Sequence, residues 1–294
     1  LGKPVMEYLV EHLAKHGFNQ IMVNVSHFAP AIEGYFGDGR RWGTQIGYSF
    51  EGHIEAGETV ASPVGSAGGI RRIQDFGGFF DDTFVVVCGD ALIDLDLASV
   101  VRKHWQSGAA ASIVVREVAK DRVSNYGVVV CDDSGQIQSF QEKPKTEDAL
   151  SQLVNTGIYI FEPEIVDLIP RGIDFDIGGE LFPLILEKRL SFNAIKAPFN
   201  WIDIGQLSDY WEANQQMMRG KLRGVQMPGT EVRPKIWAGL NVKVDWDDGR
   251  IEGPVYIGSA SHIESGCQIY GPTWIGTGCH LEAGAEIFRS ILFD

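Results

Sequence analysis

The sequence is short of cysteine, of basic runs and of long apolar stretches, and each shortage removes a class of protein. Its four cysteines (Cys88, Cys131, Cys267, Cys279) lie far apart and form no C-x-x-C pair. They are therefore expected to be reduced structural thiols, not disulfides or zinc ligands. No apolar run approaches the ~20 residues that span a bilayer, and no signal-peptide pattern is present. The expectation is no membrane partner and a cytoplasmic location. Lys and Arg total 25 against 39 Asp and Glu, for a net charge of −14, and the basic residues never cluster, which disfavours nucleic acid as a partner. A phosphorylated ligand would need metal and a few local lysines against this field. His12 and His16 are spaced i, i+4, but without the H-E-x-x-H context they do not read as a metal site.

What is present is an alternation of strands and helices. With 294 residues and 44% hydrophobic content, the chain can form one large or two ordinary domains. Thr83-Phe84-Val85-Val86-Val87-Cys88 is an unbroken β-prone run that stops at Gly89-Asp90. Such a run predicts a strand buried in a parallel sheet, with Asp90 at its carboxyl edge, where open α/β sheets bind ligands. Asp90 reads either as a hard oxygen ligand suited to Mg²⁺ or, with Asp94 and Asp96, as part of the cap of a helix opening near Leu97. Pro4 starts a helix that Gly17 ends, and strands are expected over 21–25 and 45–50 with a helix over 29–36 between them. Pro63 to Gly69 forms a Gly-rich helix entrance that reads either as a plain tight turn or as N–H groups facing an anion or a polar edge. A helix over 97–107 and a strand over 110–118 continue a βαβ rhythm. A hairpin follows over 127–141 and closes at Glu142-Lys143-Pro144. The strand 153–161 carries a polar notch at Asn155, which needs partners. Asp203, between apolar neighbours and just before Ile204-Gly205, is a second acid unlikely to sit there without a cation or donor.

Residues 223–238 lack periodicity and read as a linker between a 1–222 domain and a 239–294 domain. In the latter, Ile251, Ile257, Ile263, Ile269, Ile275, Leu281 and Ile287 recur every six residues. Four positions after each lie Val255, Ser261, Cys267, Thr273, Cys279, Ala285 and Ile291. A strict six-residue period predicts a β-helix solenoid whose large and small positions both point inward. Both ends of the sequence read as cut, the first at Leu1 and the second inside a repeat.

Taken together, Gly2-Lys3-Pro4, Tyr35 to Gly39, Pro63 to Gly68, Cys88-Gly89-Asp90, Tyr126-Gly127, Glu142-Lys143-Pro144, Asn155-Thr156-Gly157, Trp201 to Gly205 and the hexapeptide repeats resemble the sugar-1-phosphate nucleotidylyltransferases. The branch they most resemble is that of the mannose-1-phosphate guanylyltransferases. The resemblance implies a doubly wound, Rossmann-like α/β nucleotidyltransferase domain followed by a left-handed parallel β-helix, and a homo-oligomer formed through that β-helix. It implies a nucleoside triphosphate and a sugar 1-phosphate as substrates, most directly GTP and mannose 1-phosphate. Asp90 and Asp203 would hold Mg²⁺ against the phosphates, and Lys143 would contact the sugar phosphate. Glu142, Asn155 and the Gly127 backbone would hold sugar hydroxyls, and Pro63, Gly65 and Gly68 would line the nucleobase pocket. The family's first strand and its Arg- and Lys-bearing loop would precede Gly2. Their absence implies a gap between strands 21–25 and 83–88, and a stretch that is inactive by itself. Ser62 departs from the Glu usual in the guanylyltransferase pattern, which leaves a glucose-1-phosphate thymidylyl- or uridylyltransferase open. A non-catalytic regulatory relative is the reading from a different class.

Overall fold

The computed structural model describes residues 2–55 and 57–294. The chain divides into two compact units. One comprises Leu1–Leu9, Asp90–Asp94 and Asn200–Asp294; the other comprises Val10–Gly89 and Leu95–Phe199. The architecture is an α/β region followed by a C-terminal region of short parallel strands, consistent with a β-helix. None of the helices is long and apolar enough to cross a membrane among the described residues.

In the second unit, Gln20–Val25 pairs in parallel with Gln45–Phe50, with Ile21 opposite Ile46. The helix Ala29–Phe36 connects them. The sheet that follows is mixed, not purely parallel. Its organising strand is Leu153–Phe161, which pairs antiparallel with Ala111–Glu117 along one edge. Along its other edge, Ile158–Phe161 pairs with Phe84–Val87, and Val154 with Val128. A register shift between Asn155 and Tyr159, with Gly157 at φ 72, bends the strand so that one edge serves two partners. Phe84–Val87 is thus half-buried and antiparallel to its partner, unlike the fully buried parallel strand expected from its composition. It shares no ladder with Gln20–Val25 among the described residues.

The core of this unit is aromatic. Phe161, Phe182 and Phe192 are fully buried, and Tyr159 and Phe182 meet edge to face at 5.4 Å. The helix Leu97–Ser107 opens on Asp96, whose side chain accepts from Ser99 N, and closes on Gly108 in the left-handed region. His104 on that helix is fully buried. Its ring nitrogens lie 2.8 Å from the Ser112 hydroxyl and 3.0 Å from the Glu162 carboxylate, which satisfies both. His12 and His16 are likewise occupied by backbone, the carbonyls of Leu95 and His12.

In the first unit, the six-residue period becomes a three-faced stack. Val255–Ile257 pairs with Thr273–Ile275, His262–Ile263 with His280–Leu281, and Gln268–Tyr270 with Glu286–Phe288, all in parallel. Each pairing is offset by 18 residues (273 − 255, 280 − 262, 286 − 268), three hexapeptides to a coil. Ile257, Ile263, Ile269, Ile275 and Leu281 fill the interior, as do the small positions Val255, Ser261, Cys267 and Thr273. The stretch 223–238, expected as a linker, contains the strands Thr230–Arg233 and Ile236–Ala238. The second of these extends the prism by pairing in parallel with Val255–Ile257. The partition also departs from the linear boundaries expected. Leu92, Ala213, Met217, Met218 and Leu222 share one apolar cluster with Tyr256 and Trp274, whose rings stack at 4.0 Å. That burial, at roughly 1.5–3 kcal/mol per large side chain, ties the helix Leu207–Met218 to the β-helix.

Candidate active site

The residues singled out from the sequence gather at two places, one in each unit. In the first unit, Ala91–Ile93 and Trp201–Asp203 form a two-stranded antiparallel ladder with Ala91 opposite Asp203. Ile204 N donates to the Asp90 carbonyl at 3.2 Å, so the backbones of Asp90 and Asp203 adjoin although 113 positions separate them (203 − 90). A regular pleat would send side chains offset by one residue to opposite faces. Gly89-Asp90 is a turn, which frees Asp90 from that alternation. Both acids are exposed.

Asp94 holds this ladder in place. Nearly buried at 9% exposure, its carboxylate accepts from Asn200 N at 2.6 Å, Asn200 Nδ2 at 2.7 Å and Arg223 N at 3.1 Å. Asp94 N in turn donates to the Asn200 carbonyl. The three acids once grouped as possible caps therefore have separate duties. Asp96 caps the helix, Asp94 clamps Asn200 three residues before Asp203, and Asp90 sits at the turn. Asp94→Ala strands three N–H donors and is expected to cost about 2–4 kcal/mol. Urea unfolding should show the midpoint lowered; an unchanged midpoint would remove Asp94 as the clamp.

In the second unit, four of the residues singled out from the sequence meet. Asn155 N donates to the Gly127 carbonyl at 2.8 Å. A Cβ at Gly127 would lie 2.4 Å from the Phe140 ring and 3.2 Å from Glu142 Oε2, and one at Gly178 would lie 2.8 Å from the same oxygen. The two glycines thus make room for Phe140 and the Glu142 carboxylate. Lys143 follows at φ 41, a left-handed conformation uncommon for a non-glycine and typical of functional loops. The partners of Asn155 are internal: its Nδ2 donates to the Tyr159 hydroxyl at 2.9 Å, and its Oδ1 accepts from Gly157 N at 2.9 Å.

Asp176, not singled out from the sequence, belongs to this centre. It caps the π-helical turn Ile177–Leu181 by accepting from Gly179 N at 2.7 Å, and it accepts from the Ser66 hydroxyl at 2.7 Å. Burial pushes the Glu142 carboxyl above its ordinary value; Lys143 opposes this and the charge of Asp176 adds to it. Burial acts on Asp176 in the same direction, but the Ser66 hydroxyl and the amides of Gly179, Gly178 and Ile177 outweigh it and hold that carboxyl low. Tyr159 is raised by burial, then by Cys88, whose sulfur lies 2.6 Å from a Cβ built on Gly157. The available signal for Asp176 was an Asp two residues before a Gly-Gly helix entrance, the pattern of an N-cap. Nothing local marked Tyr159, because the bulge that brings its hydroxyl to Asn155 is a tertiary feature.

The Gly-rich entrance is packed more tightly than a free anion cradle. The amides of Ala67 and Gly68 both donate to the Phe175 carbonyl at 2.9 Å, and Phe175 N returns a bond to Val64 O. Gly65 has φ 76, and a Cβ there would fall 2.4 Å from Asp174 Oδ1 and 2.5 Å from Phe175 O. Gly68 is buried, with Ile173 O 3.2 Å from its would-be Cβ, while Pro63 is exposed. The Ala67 and Gly68 amides are therefore engaged by protein, as in a plain tight turn and not as an open anion cradle.

A mixed α/β sheet followed by a parallel β-helix of six-residue repeats is the architecture expected of a nucleotidyltransferase with hexapeptide repeats. The chain belongs to the nucleotidyl transferase family, whose model matches residues 1–220, and within it to the sugar-1-phosphate nucleotidyltransferases. It is 55% identical over 269 residues to a UTP–glucose-1-phosphate uridylyltransferase of Synechocystis sp., covering 92% of this chain and 69% of that protein. To the mannose-1-phosphate guanylyltransferase of Mycobacterium tuberculosis it is 29% identical over 221 residues, covering 74% of this chain and 57% of that protein. The identity to the uridylyltransferase thus exceeds that to this guanylyltransferase, a member of the branch expected from the sequence. In fold, the chain is similar to HddC from Yersinia pseudotuberculosis complexed with GMP-PN, with a TM-score of 0.57 at 24% identity over 72% of this chain and 84% of that one.

Proposed function

We propose that the protein transfers a uridylyl group from UTP to glucose 1-phosphate, giving UDP-glucose and pyrophosphate. The observation that carries this reading is the 55% identity to a uridylyltransferase across 92% of the chain. A phosphate oxygen of glucose 1-phosphate attacks the α-phosphorus of UTP, the bond from that phosphorus to the β-phosphate oxygen breaks, and pyrophosphate leaves with the electron pair. Such a displacement depends on positioning and charge neutralisation more than on covalent catalysis.

Asp90 and Asp203 suit a hard cation: two exposed carboxylates on adjoining backbone, with no soft donor in the set. Bound there, Mg²⁺ would supply neutralisation of phosphate charge. In the other unit, Glu142 accepts from sugar hydroxyls, and Asn155 and the Gly127 backbone fix the register of the ring. Lys143 meets the sugar phosphate as a point charge. Pro63 offers an exposed edge to the uracil, and Gly65 and Gly68 hold that edge by packing on 173–175.

The test is a turnover matrix with Mg²⁺ in which UTP, GTP, dTTP, CTP and ATP are each paired with glucose 1-phosphate and mannose 1-phosphate, with products identified by mass. UDP-glucose should dominate. GDP-mannose as the main product would restore the guanylyltransferase reading, and binding of nucleotide sugars without turnover would favour the regulatory one.

A further inference from the structure

On the β-helix, His262 and His280 occupy equivalent positions of successive coils. Their rings stack nearly parallel, 8° apart in plane with centroids at 5.1 Å. Glu264, two residues after His262, sends Oε1 to within 2.7 Å of His280 Nε2 and accepts from Ala283 N on Oε2 at 3.0 Å. One ring nitrogen from each histidine and one carboxylate oxygen all lie within 4.8 Å of one another, on a surface where both histidines are exposed. One position beyond the paired residues, the same face stacks Asp245, Glu264 and Glu282 in register. Stacked like charges oppose each other, so this face favours a cation, as does the overall charge of −14. Lys243, aligned with His262 in the preceding coil, is the basic residue of the row.

We propose that His262, Glu264 and His280 form a binding site for a divalent transition-metal ion, Zn²⁺ by its ligand chemistry, that staples two successive coils of the β-helix. Two imidazoles and one carboxylate are a set that Zn²⁺ accepts, with bonds of about 2.0–2.2 Å. Tetrahedral placement needs donor atoms roughly 3.3–3.5 Å apart, given those bond lengths. The widest pair must therefore close and the His280–Glu264 pair must open. Rotation of exposed side chains achieves both without moving the coils. The bond from Ala283 N orients the carboxylate, as outer partners of metal ligands do. The set leaves positions for water, and it differs from the all-oxygen pair Asp90 and Asp203 in selecting against Mg²⁺.

The experiment is calorimetric titration of the whole protein with Zn²⁺ in millimolar Mg²⁺, which saturates hard-oxygen sites first. One equivalent should bind, and the thermal midpoint should rise with Zn²⁺. His280→Ala and His262→Ala should each weaken binding at least tenfold while the far-ultraviolet circular dichroism stays unchanged. If a variant unfolds, imidazole NMR of the unaltered protein decides, since Co²⁺ should broaden the His262 and His280 signals ahead of the other five histidines. Absent stoichiometric Zn²⁺ binding, unchanged affinity in folded His280→Ala, or broadening centred on other histidines would each overturn the site.

Discussion

Asp203→Asn is expected to cut turnover by about 10²–10³-fold, the usual loss when one preorganised charge-stabilising group is removed. The substitution keeps the shape of the side chain and its place as the last residue of Trp201–Asp203, so thermal unfolding should stay near that of the unaltered protein. Loss of activity with an intact fold separates a metal ligand from a structural acid. Asp94 provides the contrast, since its replacement should act through stability. Unchanged turnover of Asp203→Asn at saturating Mg²⁺ would remove Asp203 from the chemistry.

Glu142→Gln and Asp176→Asn should move stability in opposite directions, although both alter one carboxyl of one cluster. A carboxyl whose value is raised on folding favours the folded state while protonated, and that advantage is lost as pH rises through its folded value. Glu142 is exposed and is raised chiefly by partial desolvation, so with solvent screening it burdens the fold slightly at neutral pH. Glu142→Gln should leave the melting temperature equal or higher there, while the KM for the sugar phosphate rises about 10–100-fold for the loss of a charged hydrogen-bond acceptor, worth about 1.5–3 kcal/mol. Asp176 is held low by the Ser66 hydroxyl and three amides against the cost of burial. It contributes stability above its unfolded value, and this is lost as pH falls through its folded value. Asp176→Asn should thus melt earlier at pH 7 and converge with the unaltered protein in acid. Melts from pH 3 to 8 with steady-state kinetics check both; a Glu142→Gln protein that is less stable at pH 7 and unimpaired in KM would reverse the assignment.

Much of this was legible before any coordinates, because it rests on local periodicity. The helix Leu97–Ser107, the strands Gln45–Phe50 and Leu153–Phe161, and the inward Ile257, Ile263, Ile269 and Ile275 follow from patterns of 3.6, two and six residues. The juxtaposition of Gly127, Glu142 and Asn155 was also anticipated, through the resemblance. What escaped was non-local. Phe84–Val87 reads the same whether its neighbour runs parallel or antiparallel. The cap duty of Asp176 depends on Ser66, 110 positions away. The engagement of the Ala67 and Gly68 amides depends on a carbonyl at Phe175, which no motif at 63–69 announces.

Over the ladders that join 250–270 to 268–288, the 18-residue coil gives the β-helix a modular arithmetic. Removing one whole coil would shorten the prism by a layer and return every later residue to its own row. Removing a single hexapeptide would keep all the large aliphatics inward, since that register repeats every six, yet turn every later outer residue onto the next face. The interior would scarcely register such a loss, whereas His280 would leave the row of His262, and whatever recognises a given face would find different residues on it. Length variation of this unit is therefore filtered by its surface and not by its core.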